Sequence, residues 1–342
     1  MKKRLLFFSV LCIAVCACNS SLKDSQHFKK ADDFGRMDES ATAYLQAIRS
    51  FGGTNELHSL MVIKDGKKLM EYYDTGYGPD FLNICWSASK TFTATALGFA
   101  VQDGLVKVSD KLVDILPSEM LPEAVSDTLR ELDLYNLLRM SSGLYDNIGG
   151  IGSKATLHPT KEGLSRGFMF RPGETYKYCS FNTYLLSVVV QTVTGKCVAD
   201  YLKEKLFEPL GIRQYHWDKC AEGYNTGGWG LYMTTEGLAK MGQFFLQDGQ
   251  WNGKQLLSKE WIEEARTAQI MQGGDIENDP DHNLGYCYQM WRCRNNAYRL
   301  DGARGQWVII SPEKNAVIVI TELCLDTKKG IKAVWPTIYD AI

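Results

Sequence analysis

The chain carries almost no excess of either charge: 38 lysines and arginines face 40 aspartates and glutamates, a formal net charge of -2 over 342 residues. A balance that even gives a polyanion or a membrane surface nothing to attract, and no nucleic-acid partner is expected. Histidine is scarce. The five present, at 27, 58, 158, 216 and 282, fall into no triad order or metal spacing. His282 lies in the acidic stretch DIENDPDHN, where weak cation binding competes with the reading of a plain solvated loop. No G-x-S-x-G elbow, no H-E-x-x-H pair and no phosphate-binding glycine loop occurs. That removes the commonest signatures of serine hydrolases, metalloproteases and nucleotide-binding proteins. Of the ten cysteines, seven lie beyond residue 18, at 85, 179, 197, 220, 287, 293 and 324. An odd number without short paired spacings excludes a disulfide framework and a zinc pattern, so buried free thiols are expected. No internal repeat or low-complexity segment is present. What remains is 45% hydrophobic and 23% charged, the make-up of a folded protein with room for one large domain or two ordinary ones.

The first residues read as an address. Lys2, Lys3 and Arg4 precede LLFFSVLCIAVCA, an apolar run from Leu5 to Ala17 that is too short to span a bilayer and has the form of an export signal. Val15, Cys16 and Ala17 before Cys18 resemble the bacterial lipobox, in which the signal is cut ahead of a cysteine that receives lipid. An ordinary cleaved signal beside a chance cysteine is the alternative. Residues 1–17 are therefore expected to be a signal peptide, 18–35 a polar tether and 36–342 the folded domain, anchored as a lipoprotein in the periplasm or at the cell surface. No later window is long and apolar enough to span a membrane.

A helix is expected over residues 38–50. SLMVIK (59–64) and KKLMEYY (67–73) flank Asp65-Gly66, which marks a tight hairpin. The Asp74-Thr75-Gly76 triplet after it has no second copy, so a turn is expected there and not half of an aspartic protease. WVIIS (307–311) and AVIVITEL (316–323), separated by Pro312 to Asn315, form a second hairpin signature. Hairpins at both ends around helix-rich sequence predict an α+β domain: one antiparallel sheet built from both chain ends, flanked by helices, with a mostly helical insertion over about 115–285. Within it TYLLSVVVQTVTG from Thr183 to Gly195 and KQLLSKEWIEEARTA from Lys254 read as helices, and EGYNTGGWG (222–230) as a loop.

One charge is out of place. In NICWSASKTFTATALGFA (83–100), Lys90 is the only charged residue between Asp80 and Asp103. The surrounding pattern is that of a helix buried all round, and a buried ammonium is costly unless it is paired or loses its proton. Ser87 lies three residues earlier, about one turn away on the same face, which makes S-x-x-K a nucleophile and base. The same spacing recurs at Ser20 to Lys23 and Ser311 to Lys314 without such surroundings, and a lysine snorkelling to the surface is the competing reading.

At this point the segments resemble the serine beta-lactamase and penicillin-binding-protein-like hydrolases, in the branch of class C beta-lactamases, carboxylesterases and 6-aminohexanoate-dimer hydrolases. The resemblance runs from about residue 58 to 323. WSASKTFTATALGFAVQDGLVKVSDKL is similar to the nucleophile helix and the loop after it. LDLYNLLRMSSGL (132–144) is similar to the L-L-x-x-x-S-G-L segment, with Met140 where many members have histidine. FRPGETYKYCSFNTYLL resembles the second motif, and GGWGLYMTTEGLAKMGQFFLQDGQWNGKQLL the next helix. The resemblance implies a beta-lactamase/transpeptidase-like fold with Ser87 as nucleophile and Tyr178, in Tyr178-Cys179-Ser180, sharing the proton with Lys90. Ser180 stands in place of the family's asparagine. A lowered phenol pKa beside the ammonium is the expectation for Tyr178.

The third motif, K-T-G or H-T-G, is absent. Gly302-Ala303-Arg304-Gly305-Gln306 resembles the G-x-x-G-Q of the esterase branch instead. By this likeness Gly302 admits substrate to the strand, the Ala303 and Ser87 N–H groups hold the oxyanion, and Arg304 is a candidate for the missing cation. Trp229 and Trp291 are expected to be apolar walls. The implied activity is hydrolysis of a small ester or amide with no metal or organic cofactor. A beta-lactamase or D,D-peptidase is the first rival, and a surface-binding lipoprotein that keeps the fold without turnover is the second.

Overall fold

In the computed structural model the described residues are 27–152 and 156–342; the stretch expected to be a signal peptide and Cys18 lie outside them. Eleven strands are formed: β1 (Glu56–Lys64), β2 (Lys67–Tyr73), β3 (Asn83–Ile84), β4 (Tyr215–Trp217), β5 (Leu231–Met233), β6 (Gln250–Trp251), β7 (Lys254–Gln255), β8 (Trp291–Arg292), β9 (Tyr298–Gly302), β10 (Gln306–Ser311) and β11 (Ala316–Leu323). Six make one antiparallel sheet in the order β2-β1-β11-β10-β9-β8. The first and last hairpins meet there as β1 pairs with β11, from Lys64 opposite Ala316 to Glu56 opposite Leu323.

The uninterrupted apolar run of β11 follows from cover on both faces. Val317 and Val319 face the main core with Met61, Ile63, Val308 and Ile310, under the Thr235–Leu246 helix. Ile318 and Ile320 face the other way with Leu60, Val62 and Trp307, under the Asp38–Ser50 helix and the Thr327–Val334 helix. The first of these helices matches the expected bounds. Two others differ from expectation. Lys254 opens strand β7, paired with β6, and its helix is confined to Lys259–Arg266 because the Ser258 side chain accepts the Trp261 N–H and starts it late. The Thr183 helix begins earlier, at Ser180.

Residues 27–35, within the stretch read as a tether, lie along the sheet edge. The Ala31 N–H donates to the Lys68 carbonyl and the Lys68 N–H to the Lys29 carbonyl. Phe28 packs edge-on to Trp251 at 6.3 Å. Asp74-Thr75-Gly76 is the expected turn, with the Asp74 carboxylate accepting the Thr75 N–H.

Beside the main sheet, β3, β5 and β4 form a small one. It sets up the site: β3 runs straight into a 3-10 turn at Trp86–Ala88, the Ser89–Gln102 helix follows, and β5 is the continuation of the Gly-rich loop. The Cys85 N–H donates to the Leu231 carbonyl at 2.8 Å and holds that loop against the turn.

Candidate active site

Ser87 sits in the 3-10 turn and not in the α-helix proper, one residue after Trp86, whose backbone is left-handed at φ +44°. The helix then buries every residue from Ser89 to Ala100. Lys90 is in its first turn and is 1% exposed. Its Nζ donates to the Gly228 carbonyl at 2.8 Å and to Ser180 Oγ at 3.0 Å. Both partners are neutral, so burial is the larger influence and pulls the amine down to about 7, with Asp146 and Cys179 opposing. The snorkelling alternative is thereby excluded. A side chain at Gly228 would put its Cβ 2.8 Å from the Lys90 Nζ, so the close approach requires glycine.

Ser180 opens the Ser180–Thr194 helix, which packs on the Lys90 helix. Asp146 holds that helix start: Oδ2 accepts the Ser180 N–H and Oδ1 the Phe181 N–H, each at 3.0 Å. Met140 is buried there too, and its sulfur accepts the Cys179 N–H at 3.4 Å. Cys179 is buried with its thiol pushed up to about 12 by burial, so it remains a thiol. All seven cysteines of the described residues are buried and free, as expected.

The Tyr178 ring centroid lies 5.3 Å from the Lys90 Nζ, and the Ser87 hydroxyl is near enough to the phenol to act on its acidity. The expectation of a lowered phenol is overturned. Burial raises Tyr178 above the usual phenol range, and the Ser87 hydroxyl only partly offsets this, with Asp301 and Asp146 adding to the rise. The phenol is therefore a neutral donor at pH 7, and Lys90 alone of this group is poised to accept a proton. Trp291 is half-buried and stacks on Tyr178, with centroids 5.9 Å apart and an interplanar angle of 25°; Tyr286 meets both rings edge-on. The acidic loop ahead of it is not a plain solvated one. His282 pairs with Asp279 at 2.8 Å and packs on Trp291, while Asp281 is fully buried against Arg294.

Gly302 ends β9 against the nucleophile turn. A Cβ there would collide with the Cys85 carbonyl, so the glycine admits the nucleophile turn, a packing role beside the one expected. Ala303 and Arg304 follow, exposed at the hairpin tip, Arg304 with φ +67°. Among the described residues the exposed Arg304 side chain makes no ion pair and no hydrogen bond, so nothing holds its guanidinium as the substitute cation. Trp229, half-buried, lines a hollow of about 650 Å³ with Ile151, Trp217 and Thr226. Asp146 and the Gly228 carbonyl escaped sequence reasoning. The only signal for Asp146 was its place just past Ser-Gly-Leu.

The site thus gathers a serine at a helix start, a buried amine drawn down to about 7 three residues after it, and a neutral phenol, next to a glycine-edged strand. Comparison with known proteins follows the same line. The beta-lactamase family model matches residues 53–322. The 6-aminohexanoate-dimer hydrolase of Paenarthrobacter ureafaciens is 24% identical over 288 residues, which is 76% of this chain and 71% of that protein. The octameric penicillin-binding protein homologue from Pyrococcus abyssi superposes with a TM-score of 0.70 at 19% identity, covering 89% of this chain and 78% of that one. A D-stereospecific amidohydrolase from Streptomyces sp. gives 0.67 at 16% identity, covering 85% and 97%.

Proposed function

The chain belongs to the beta-lactamase family, and from that premise we propose that it is a serine hydrolase of small esters or amides acting through an acyl-enzyme on Ser87. Lys90, uncharged, takes the Ser87 proton as Oγ bonds to the substrate carbonyl carbon. Tyr178 gives its proton to the leaving group as that group's bond to the carbon breaks, and the Lys90 ammonium returns a proton to the phenolate, which leaves the amine uncharged again. The Ser87 and Ala303 N–H groups hold the oxyanion, and water, activated by the same amine, releases the acid. Export and a lipid anchor on Cys18 belong to the same proposal and place the enzyme at a membrane surface.

One observation carries the reading: Lys90, 1% exposed, touches two neutral partners. A structural lysine buried at such expense is normally matched with a carboxylate. The name of the 6-aminohexanoate-dimer hydrolase supports a hydrolase reading, and the absence of K-T-G weighs against penicillins.

Intact-mass measurement after a fluorophosphonate, with Ser87→Ala as control, tests it. Stoichiometric, Ser87-dependent addition and turnover of an ester or amide panel are expected. Stable acylation by a labelled penicillin without ester or amide turnover would instead identify a penicillin-interacting protein, and no Ser87-dependent addition at all would leave a binding module.

A further inference from the structure

Glu322, near the end of β11, is a carboxylic acid 1% exposed on the sheet face that carries Ile318 and Ile320. Among the described residues no cation pairs with it. From the Asp38–Ser50 helix, Tyr44 Oη donates to Oε2 at 2.9 Å, and Oε1 has no hydrogen-bond partner. The Cys324 thiol lies beside the carboxyl but is directed at the Asp326 carbonyl, 3.4 Å away. β1 presents Leu57 across the strand, with Glu56 exposed beyond it. β10 presents Trp307. The Thr327–Val334 helix presents Gly330, while its Lys329 pairs outside with Asp326 at 3.1 Å. The last neighbour is the turn that follows Gly302. A side chain at Gly305 would collide with Oε1, so the carboxyl occupies the space under that residue, and Arg304 points outward. The end of β11 also grips the turn directly: the Cys324 N–H donates to the Arg304 carbonyl at 2.8 Å, and the Gln306 amide donates to the Glu322 carbonyl.

We propose that Glu322 is a positioning residue for the reaction: its neutral carboxyl is the floor of the Ala303–Gly305 turn, and its ionisation moves that turn, with the Ala303 N–H, away from Ser87. The inference rests on the hydrolase reading, in which that N–H is half of the oxyanion hole. A carboxylate with one oxygen unpartnered in an apolar layer is expensive. Ala303 and Arg304 of the turn above it are exposed, whereas Leu57, Trp307 and Gly330 around it are buried. Burial raises the group to about 8, with the Tyr44 hydrogen bond opposing, so it is mostly neutral at pH 7 and ionises as the pH is raised through mild alkali.

The experiment is kcat and KM for a p-nitrophenyl ester from pH 6 to 10 in the wild type, Glu322→Gln and Glu322→Ala, beside fluorophosphonate labelling of Ser87. The wild type is expected to lose about tenfold in kcat above pH 8, the size of a weakened oxyanion contact. Glu322→Gln, neutral at every pH, keeps activity at pH 7 within about threefold and shows no such fall. Glu322→Ala loses about tenfold in kcat at pH 7 with KM nearly unchanged. An alkaline fall that persists in Glu322→Gln overturns the inference, as do two variants indistinguishable from wild type. Should Glu322→Ala fail to fold, as circular dichroism would report, the Gln profile decides. Wild type that is not labelled at Ser87 sinks the hydrolase reading and this inference together; labelled wild type with an unaltered Gln profile sinks this inference alone.

Discussion

Asp146 does two separable things with one carboxylate. Its oxygens satisfy the first N–H groups of the Ser180–Thr194 helix, and its charge favours the protonated form of Lys90 against the larger opposing influence of burial. Asp146→Asn keeps an acceptor at the helix start and removes the charge. Because Lys90 must lose its proton to act, kcat/KM is expected to rise with pH through an acid limb near 7 in wild type. In the Asn variant that limb moves to lower pH, and a pH profile from 5 to 9 checks it. Asp146→Ala adds the loss of the cap, about 1 kcal/mol in a denaturant titration. An unmoved limb in the Asn variant would mean that the carboxylate does not act on the amine.

Elements, in turn, set how closely these residues meet. The Gly-rich loop reaches the Lys90 helix only because residue 228 has no side chain, with the Ser180 carbonyl 3.1 Å from where a Cβ would sit. Gly228→Ala is therefore expected to cost about 1–3 kcal/mol through overpacking, read by thermal melting, and to lower kcat by more than tenfold as Nζ is displaced. A variant with wild-type kcat would show that the loop is not part of the site. The same elements explain what the sequence could and could not reveal. Both end hairpins were legible because Asp65-Gly66 and the Pro312 to Asn315 turn separate strand-like runs rich in apolar and aromatic residues. Ser87 and Lys90 were legible because one cation in an apolar helix has no structural excuse. The start at Ser180 was hidden, since its cap is supplied 34 residues upstream. The late start of the Lys259 helix was hidden too, because helical spacing of apolar residues does not show that β7 pairs with β6. Backbone acceptors such as the Gly228 carbonyl leave no mark in residue identity. The Tyr178 phenol was misjudged for a related reason: a neighbouring ammonium can be read from a motif, whereas burial under Trp291 and Tyr286 depends on residues more than 100 positions away.

For the molecule as a whole, the two buried titratable groups bend stability with pH in opposite senses. Glu322 binds its proton more tightly folded than unfolded, so its contribution is fully present below the unfolded carboxyl pKa of about 4.3 and is lost as pH rises toward 8. Lys90 is the reverse case. The unfolded amine holds its proton up to about 10.4, so the folded state gains relative stability as pH rises from about 7 toward that value. Glu322→Gln removes the first effect only. Its stability relative to wild type is expected to increase between pH 5 and pH 8 by on the order of a few kcal/mol, measured by denaturant unfolding at each pH. A difference independent of pH would place the Glu322 proton elsewhere.

The uncharged amine at Lys90 is the centre of this account, and NMR reaches it directly. In protein carrying 13C-labelled lysine, with the signal assigned by Lys90→Arg, the 13Cε resonance of Lys90 is expected to titrate with a midpoint near 7. A midpoint near 10, the value of a hydrated lysine, would contradict it.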